Sequence, residues 1–453
     1  MLSIHVPERD GELALAGRGT VAKNRWLIAF AGMLVMTSLG AIYSWSIFTQ
    51  PLIASFGWSN TTVTWAFALA TFFLSVGAVV GGRWQDRAGP RVVTLTGVAL
   101  WGLGCVLAGL GTPGFGVAWL YLTYGVMGGF GVGMAYITPV AVVTKWFPDR
   151  RGLGSGMVLM GFGLGAFFYN LVVKSIPSFD AAAVAAAEYA AAARLDAQTA
   201  TLALHHVQAV MNVLIGSGLV FLVVGGACAF FLDNPASEQT SEQASLSAAT
   251  REAEPPFHTP REMLRTPQFY LLWSMLFINV TAGILVIANA VPIMQELTGL
   301  APKTVAAAYG GVAVANAIGR FFWGAVSDRI GRKFAFLAIF GIQAGAFFML
   351  SGMTSLGAVM LVYVIVLLCY GGGFGTMPSF NADYFGTRHL GANYGALLTA
   401  WGIAGLVGPL FAAHVKDSTG SFSGALPIVA IMLLAALALP LFAKKPARVG
   451  GKL

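Results

Sequence analysis

Charge is the scarcest resource of this chain. Asp, Glu, Lys and Arg together make up 10% of its 453 residues, where an average soluble domain has about 25%. So few charges cannot cover a water-facing surface, which excludes an ordinary soluble multidomain protein. Cysteine is nearly absent. Cys105, Cys228 and Cys369 each sit in an apolar run, at spacings that make no metal site, and read as small packing residues. No cofactor is expected. The first residues are mixed and polar (Arg9, Asp10, Glu12, Arg18, Lys23) and lack the apolar stretch of a cleavable signal, so the first apolar helix is expected to serve as the targeting signal. No Asp or Glu falls in the middle of any long apolar segment. That argues against a cation pump, which is expected to bury a carboxylate. An enzyme is disfavoured too, because it needs acids, nucleophiles or metal ligands gathered in one cavity.

What is present is apolar residues and glycine. Hydrophobic residues make up 57% of the chain, and there are 57 glycines. Small residues let helices approach closely in lipid, where hydrophobic contact gives helix pairs little. Twelve apolar segments reach the roughly 20 residues that a membrane-spanning helix needs. They predict an all-α membrane protein, six spans in residues 25–232 and six in 267–443. A cytoplasmic tail (1–24), a polar linker (233–266) and a second tail (444–453) complete the chain. Residues 180–206 are alanine-rich but carry Glu188, Arg194 and Asp196, and are expected to form a helical hairpin or cap outside the membrane. With the N-terminus placed in the cytoplasm, 21 of the 26 Lys and Arg residues fall on the cytoplasmic side, four fall opposite, and Arg320 is left inside a span. This asymmetry predicts that both termini are cytoplasmic. It also accounts for the net charge of +8 without any nucleic acid.

The chain repeats itself. GRWQDRAGPR (Gly82–Arg91) follows the second span and GAVSDRIGRK (Gly324–Lys333) the eighth. KWFPDRRGLGSG (Lys145–Gly156) follows the fourth and DYFGTRHLGANYG (Asp383–Gly395) the tenth. In the first pair Asp86 and Asp328 end a helix, where each can meet the backbone N–H groups of a neighbouring helix and act as a latch. Arg87, Arg91, Arg329 and Arg332 stand with them as candidates for gating. The paired motif resembles the loop signature of the major facilitator superfamily. Within it the chain resembles the oxalate/formate antiporter family, relatives of the monocarboxylate transporters. The matching stretches include YSW (43–45), EMLRTPQFYLLW (262–273), ANAVP (288–292), FFWGAVSDRIGR (321–332) and NADYFG (381–386). The resemblance implies two pseudo-symmetric six-helix bundles in a bacterial inner membrane, a monomer, and alternating access.

Arg320 carries the functional reading. An arginine at the centre of a membrane helix costs roughly 2.5–3.5 kcal/mol on insertion scales. It lies eight residues before Asp328, about 12 Å along the helix, which is far to snorkel. Its planar fork suits a carboxylate. The family has a substrate-binding arginine at this place. Asn316 shares its helix face one turn earlier, where proton-coupled monocarboxylate transporters have an aspartate. Asparagine cannot titrate, so whether protons accompany transport by another route stays open. Aligned on NYG (393–395), Trp401 stands where oxalate exchangers have a lysine. A single pocket cation favours a monocarboxylate over oxalate. Tyr43 and Tyr136 match family binding-site tyrosines, and Tyr370 and Phe374 share a face of the tenth span. The positions held by Ile42 and Leu398 make the pocket more apolar than an oxalate site. Asn170, Lys174 and His414 are weaker candidates. The expected substrate is a small organic carboxylate such as formate, lactate, pyruvate or another short 2-oxo or 2-hydroxy acid. The alternative is an oxalate/formate-type dicarboxylate exchanger.

Overall fold

A computed structural model describes residues 24–179, 197–235, 257–312, 314–422 and 424–446. Among these residues the structure is helical, with no strand. We number twelve helices. In the first half, α1 is Arg25–Gly40, α2 Asn60–Ala88, α3 Pro90–Phe115, α4 Val117–Trp146, α5 Arg151–Lys174 and α6 Ala197–Ala229. In the second, α7 is Pro267–Ala288, α8 the pair Pro302–Val312 and Val314–Ile330, α9 Arg332–Leu350, α10 Leu356–Phe385, α11 Leu390–Leu397 with Thr399–Thr419, and α12 Ala425–Ala436. Among the described residues eleven helices are long and apolar enough to cross a membrane, and α8 takes the twelfth place.

Local chemistry sets the helix ends. The Asn24, Ser59 and Thr266 side chains accept from the first-turn N–H groups of Trp26, Thr62 and Phe269. Between α2 and α3, and between α8 and α9, the chain turns on Gly89 and Gly331, with φ of 86° and 88°, a conformation that favours glycine. The linker re-enters the described structure at Phe257 with a capping box, Thr259 and Glu262. The Thr259 N–H and hydroxyl donate to the Glu262 carboxylate and hold it below the usual carboxylate range.

Large apolar side chains such as Leu110, Phe115, Val223 and Phe442 stand exposed around the bundle. This is the outer face of a protein solvated by lipid, where helices satisfy the backbone without water. The first helix of each half changes course at a similar point. A 3-10 turn at Ala41–Ser44 leads α1 into Ser46–Phe56, and Asn289 separates α7 from Ala290–Thr298. The halves meet along two seams, α2 with α11 and α5 with α8. Glycine permits the second seam. A Cβ at Gly156 (α5) would lie 2.5 Å from the Arg320 carbonyl oxygen, and one at Gly375 (α10) 2.0 Å from it. Helix α8 is thus gripped from both sides at Arg320.

One expectation holds and one changes. Asp328 ends its helix as expected, in the last turn of a segment that runs to Ile330. The alanine-rich stretch is not wholly a separate cap. Residues 197–206 have helical backbone continuous with α6, because alanine propagates a helix already anchored in the bundle. Residues 180–196 lie outside the described structure, as do 1–23 and 236–256.

Candidate functional site

Arg320 is 0% exposed and lies at the seam between the halves. Its Nε donates to the Asn316 side-chain oxygen at 3.4 Å, one turn back on α8. Its Nη1 and Nη2 are buried without a hydrogen-bond partner. Two aromatic rings flank the guanidinium. Its Cζ lies 4.8 Å from the Phe374 ring centre (α10) and 5.4 Å from that of Phe162 (α5). Such contacts stabilise a cation by about 0.5–2 kcal/mol, which does not replace a counter-ion.

Trp401, on α11, is the hub of the surrounding cluster. Its ring centre lies 5.0 Å from Phe374, 5.4 Å from Tyr136, 5.8 Å from Phe162 and 6.2 Å from Tyr43. Tyr43 comes from the 3-10 turn that follows α1, and Tyr136 from α4. Both hydroxyls are buried and without a partner. Five helices from both halves therefore surround one unpaired guanidinium, with two free phenols beside it. Tyr370 packs edge-on to Phe374 at 5.5 Å and fills the space over Gly283 of α7.

The structure thus brings Arg320, Asn316, Tyr43, Tyr136, Tyr370, Phe374 and Trp401 together. Sequence reasoning missed Phe162, the ring under the guanidinium. Its signal was faint: a bulky residue set between Gly161 and Gly163, where α5 packs closely on α1 and α8. Lys174 and His414 are exposed at the far ends of their helices, away from this cluster.

The motif residues form two latches at the basic end. The Asp328 carboxylate accepts from the Gly152 and Leu153 N–H groups at 2.9 and 2.8 Å. The Asp86 carboxylate accepts from Gly391 and Ala392 at 3.3 and 2.8 Å. These are first-turn donors of α5 and α11, so each aspartate is an anion placed at the positive end of a helix dipole in the opposite half. Arg332 joins Asp328 at 2.7 Å and Asp383 at 2.9 Å, and also contacts the Ser327 hydroxyl. Arg151 closes the network on Asp383 at 3.0 Å. Arg91 instead bonds to Asp233 at 2.8 Å and to the Leu232 carbonyl, tying down the end of α6 within its own half. Arg87 and Arg329 are exposed, with no ion pair among the described residues. Their placement gives them no part in either latch.

The oxalate:formate antiporter of Oxalobacter formigenes is 30% identical over 427 residues, covering 92% of this chain and 91% of that protein. The apicoplast pyruvate carrier 1 of Toxoplasma gondii is 24% identical, covering 86% and 84%. Among solved structures, the transporter FucP in its outward conformation superposes with a TM-score of 0.69 at 15% identity, covering 93% of this chain and all of that one; this likeness concerns the fold alone. The Major Facilitator Superfamily pattern matches residues 26–409, and a second match spans 272–452. Twelve helices in two bundles, latched by a duplicated motif around a shared central site, are thus a multi-pass membrane protein that belongs to the Major Facilitator Superfamily.

Proposed function

We propose that the chain moves small monocarboxylate anions across a bacterial inner membrane by alternating access, with the carboxylate seated on Arg320. One observation carries this reading: the two Nη groups of Arg320 are buried and unpartnered between the halves. A buried charge without a partner is costly, and a carboxylate is the anion whose two oxygens fit the guanidinium fork. The relatives named as an oxalate:formate antiporter and a pyruvate carrier support an organic-acid substrate.

The donor inventory narrows the class. Arg320 can take both carboxylate oxygens, and the Tyr43 and Tyr136 hydroxyls remain to be satisfied. An oxygen at C2, as in pyruvate or lactate, provides for them; formate has none. The aromatic walls suit a short alkyl tail. No second Lys or Arg joins the cluster among the described residues, so one negative charge is matched and two are not.

In this reading the basic end faces the cytoplasm, with both termini. The monomer works as two bodies, 25–232 and 267–443, joined by 233–266, that rock about the fixed site. Asn316 bonds Arg320 and cannot carry a proton, so any proton coupling runs through another group or with the substrate. A dicarboxylate exchanger is the second reading, favoured by the identity to the oxalate:formate antiporter. The test is purified protein in liposomes with labelled formate, lactate, pyruvate and oxalate, with and without a pH gradient or internal substrate. Saturable uptake of lactate or pyruvate, weakly inhibited by oxalate, is the expected result. Strong inhibition by oxalate where lactate and pyruvate do nothing establishes the exchanger instead.

A further inference from the structure

Tyr394 has no role in the reading above, yet its position is tightly prescribed. It lies in the first segment of α11, Leu390–Leu397. Two residues earlier, the Ala392 N–H is held by Asp86 at 2.8 Å. The Asn393 side chain donates to the His258 carbonyl at 3.0 Å, which docks the end of the linker. One residue later, Gly395 packs so closely on α2 that a Cβ there would lie 2.4 Å from the Ala78 carbonyl oxygen. The backbone on both sides of Tyr394 is thus pinned to the opposite half or to the linker.

Its ring is fully buried, and its hydroxyl is buried with no hydrogen-bond partner. Tyr394 stands seven residues before Trp401, so the two share a face of α11, and its segment packs against α4, which carries Tyr136. Phenylalanine would fill the same space without leaving a polar atom unpaired, which is destabilising in a buried site. A packing role alone therefore does not explain the oxygen. Tyr136 and Tyr394 come from opposite halves, α4 and α11, so their separation changes when the halves rock.

We infer that Tyr394 is a further substrate-contacting residue, a phenol donor that receives the carboxylate as it leaves Arg320 toward the latched end. This rests on the reading of Arg320 as the anion seat. In the closed arrangement Arg320 and Tyr136 hold the anion. As the Asp86 latch releases α11, Tyr394 moves with that helix, and its hydroxyl accompanies the carboxylate on the way out. Ala392, which Asp86 holds, and Tyr394 lie within one turn of α11, so latch opening and anion hand-over are one motion of that helix.

The test compares Tyr394→Phe with wild type in the full-length protein. Binding of pyruvate and lactate is titrated by intrinsic tryptophan fluorescence, and exchange is measured in liposomes. The expected result is a maximal exchange rate lowered about tenfold or more, with binding affinity changed by less than about threefold and an unfolding temperature equal to or above that of wild type. Wild-type exchange by Tyr394→Phe overturns the inference. Parallel loss of affinity, rate and unfolding temperature also overturns it, because that is the mark of a packing residue. A wild type that carries no carboxylate of the panel overturns the substrate reading beneath it, which separates the two failures.

Discussion

Two places in this molecule bury charge, and they are handled in opposite ways. At the basic end, Asp328, Arg332, Asp383 and Arg151 pair with one another across four helices. At the centre, Arg320 has one bond to a neutral amide and nothing for its Nη groups. The first network is satisfied within the protein; the second leaves donors that an anion could satisfy. In the proposed reading the desolvation of Arg320 is offset when an anion enters, so substrate binding and closure around it favour each other.

The same contrast recurs in miniature between the two latches. Aligning the repeats puts Pro90 at the place of Arg332 and Lys145 at the place of Asp383. The Asp328 latch therefore has its helix N-terminus plus a charge network, while the Asp86 latch has its helix N-terminus with Lys145 and His389 nearby. The side chains of Asp328 and Arg332 are only 12% and 11% exposed, so their pairing is little screened by solvent. The second half's loop is the stronger fastening, and the two latches need not open at the same cost.

Substitutions can break or sharpen this comparison. The largest effect is expected at the unpaired charge: Arg320→Ala abolishes carboxylate uptake with normal membrane insertion, and Arg320→Lys impairs it because the planar fork is lost. Radiolabelled uptake into liposomes, normalised to reconstituted protein, measures both. Next is the paired network. Asp328→Asn leaves Arg332 partly unsatisfied and shifts the protein toward the unlatched state. With Ser379→Cys in a background where the three native cysteines are alanine, labelling from the basic side by an impermeant maleimide should speed up about tenfold or more. Ser379 is buried against Ser155 across the seam, so its labelling reports opening. Trp401→Lys supplies the second cation that the aromatic cluster lacks. Competition between labelled pyruvate and unlabelled oxalate should then move toward oxalate by about tenfold, with weaker monocarboxylate uptake. The smallest effect is expected for Asp86→Asn, about threefold on the same labelling rate. If it equals or exceeds that of Asp328→Asn, the two latches are not unequal in the way their charges suggest.

Much of this was legible in the sequence, for identifiable reasons. Length and apolarity define the spans, and a duplicated motif defines the latches, because both signals are local. Asn316 and Arg320 share a face through helical periodicity alone. Phe162 was not legible: it is one of 32 phenylalanines, on a helix that is apolar on every side, so its pattern does not say which face is inward. The Arg151–Asp383 pair joins residues 232 positions apart, and only the docking of the halves brings them together. Tyr394 was visible as part of NYG but not as an unsatisfied hydroxyl, because satisfaction depends on what surrounds a group. The extension of α6 into the alanine-rich stretch was hidden by the charges there, although alanine itself favours the helix.

The central claim is that Arg320 is the seat of the anion, and equilibrium binding tests it more directly than transport does. Purified wild-type protein is titrated with pyruvate while its thermal unfolding is followed, beside Arg320→Ala under the same conditions. A ligand that binds only the folded state stabilises it by about 2.7 kcal/mol at a hundred times its dissociation constant. The account predicts a saturable rise in unfolding temperature for wild type and none for Arg320→Ala. An equal, saturable rise in both proteins contradicts it.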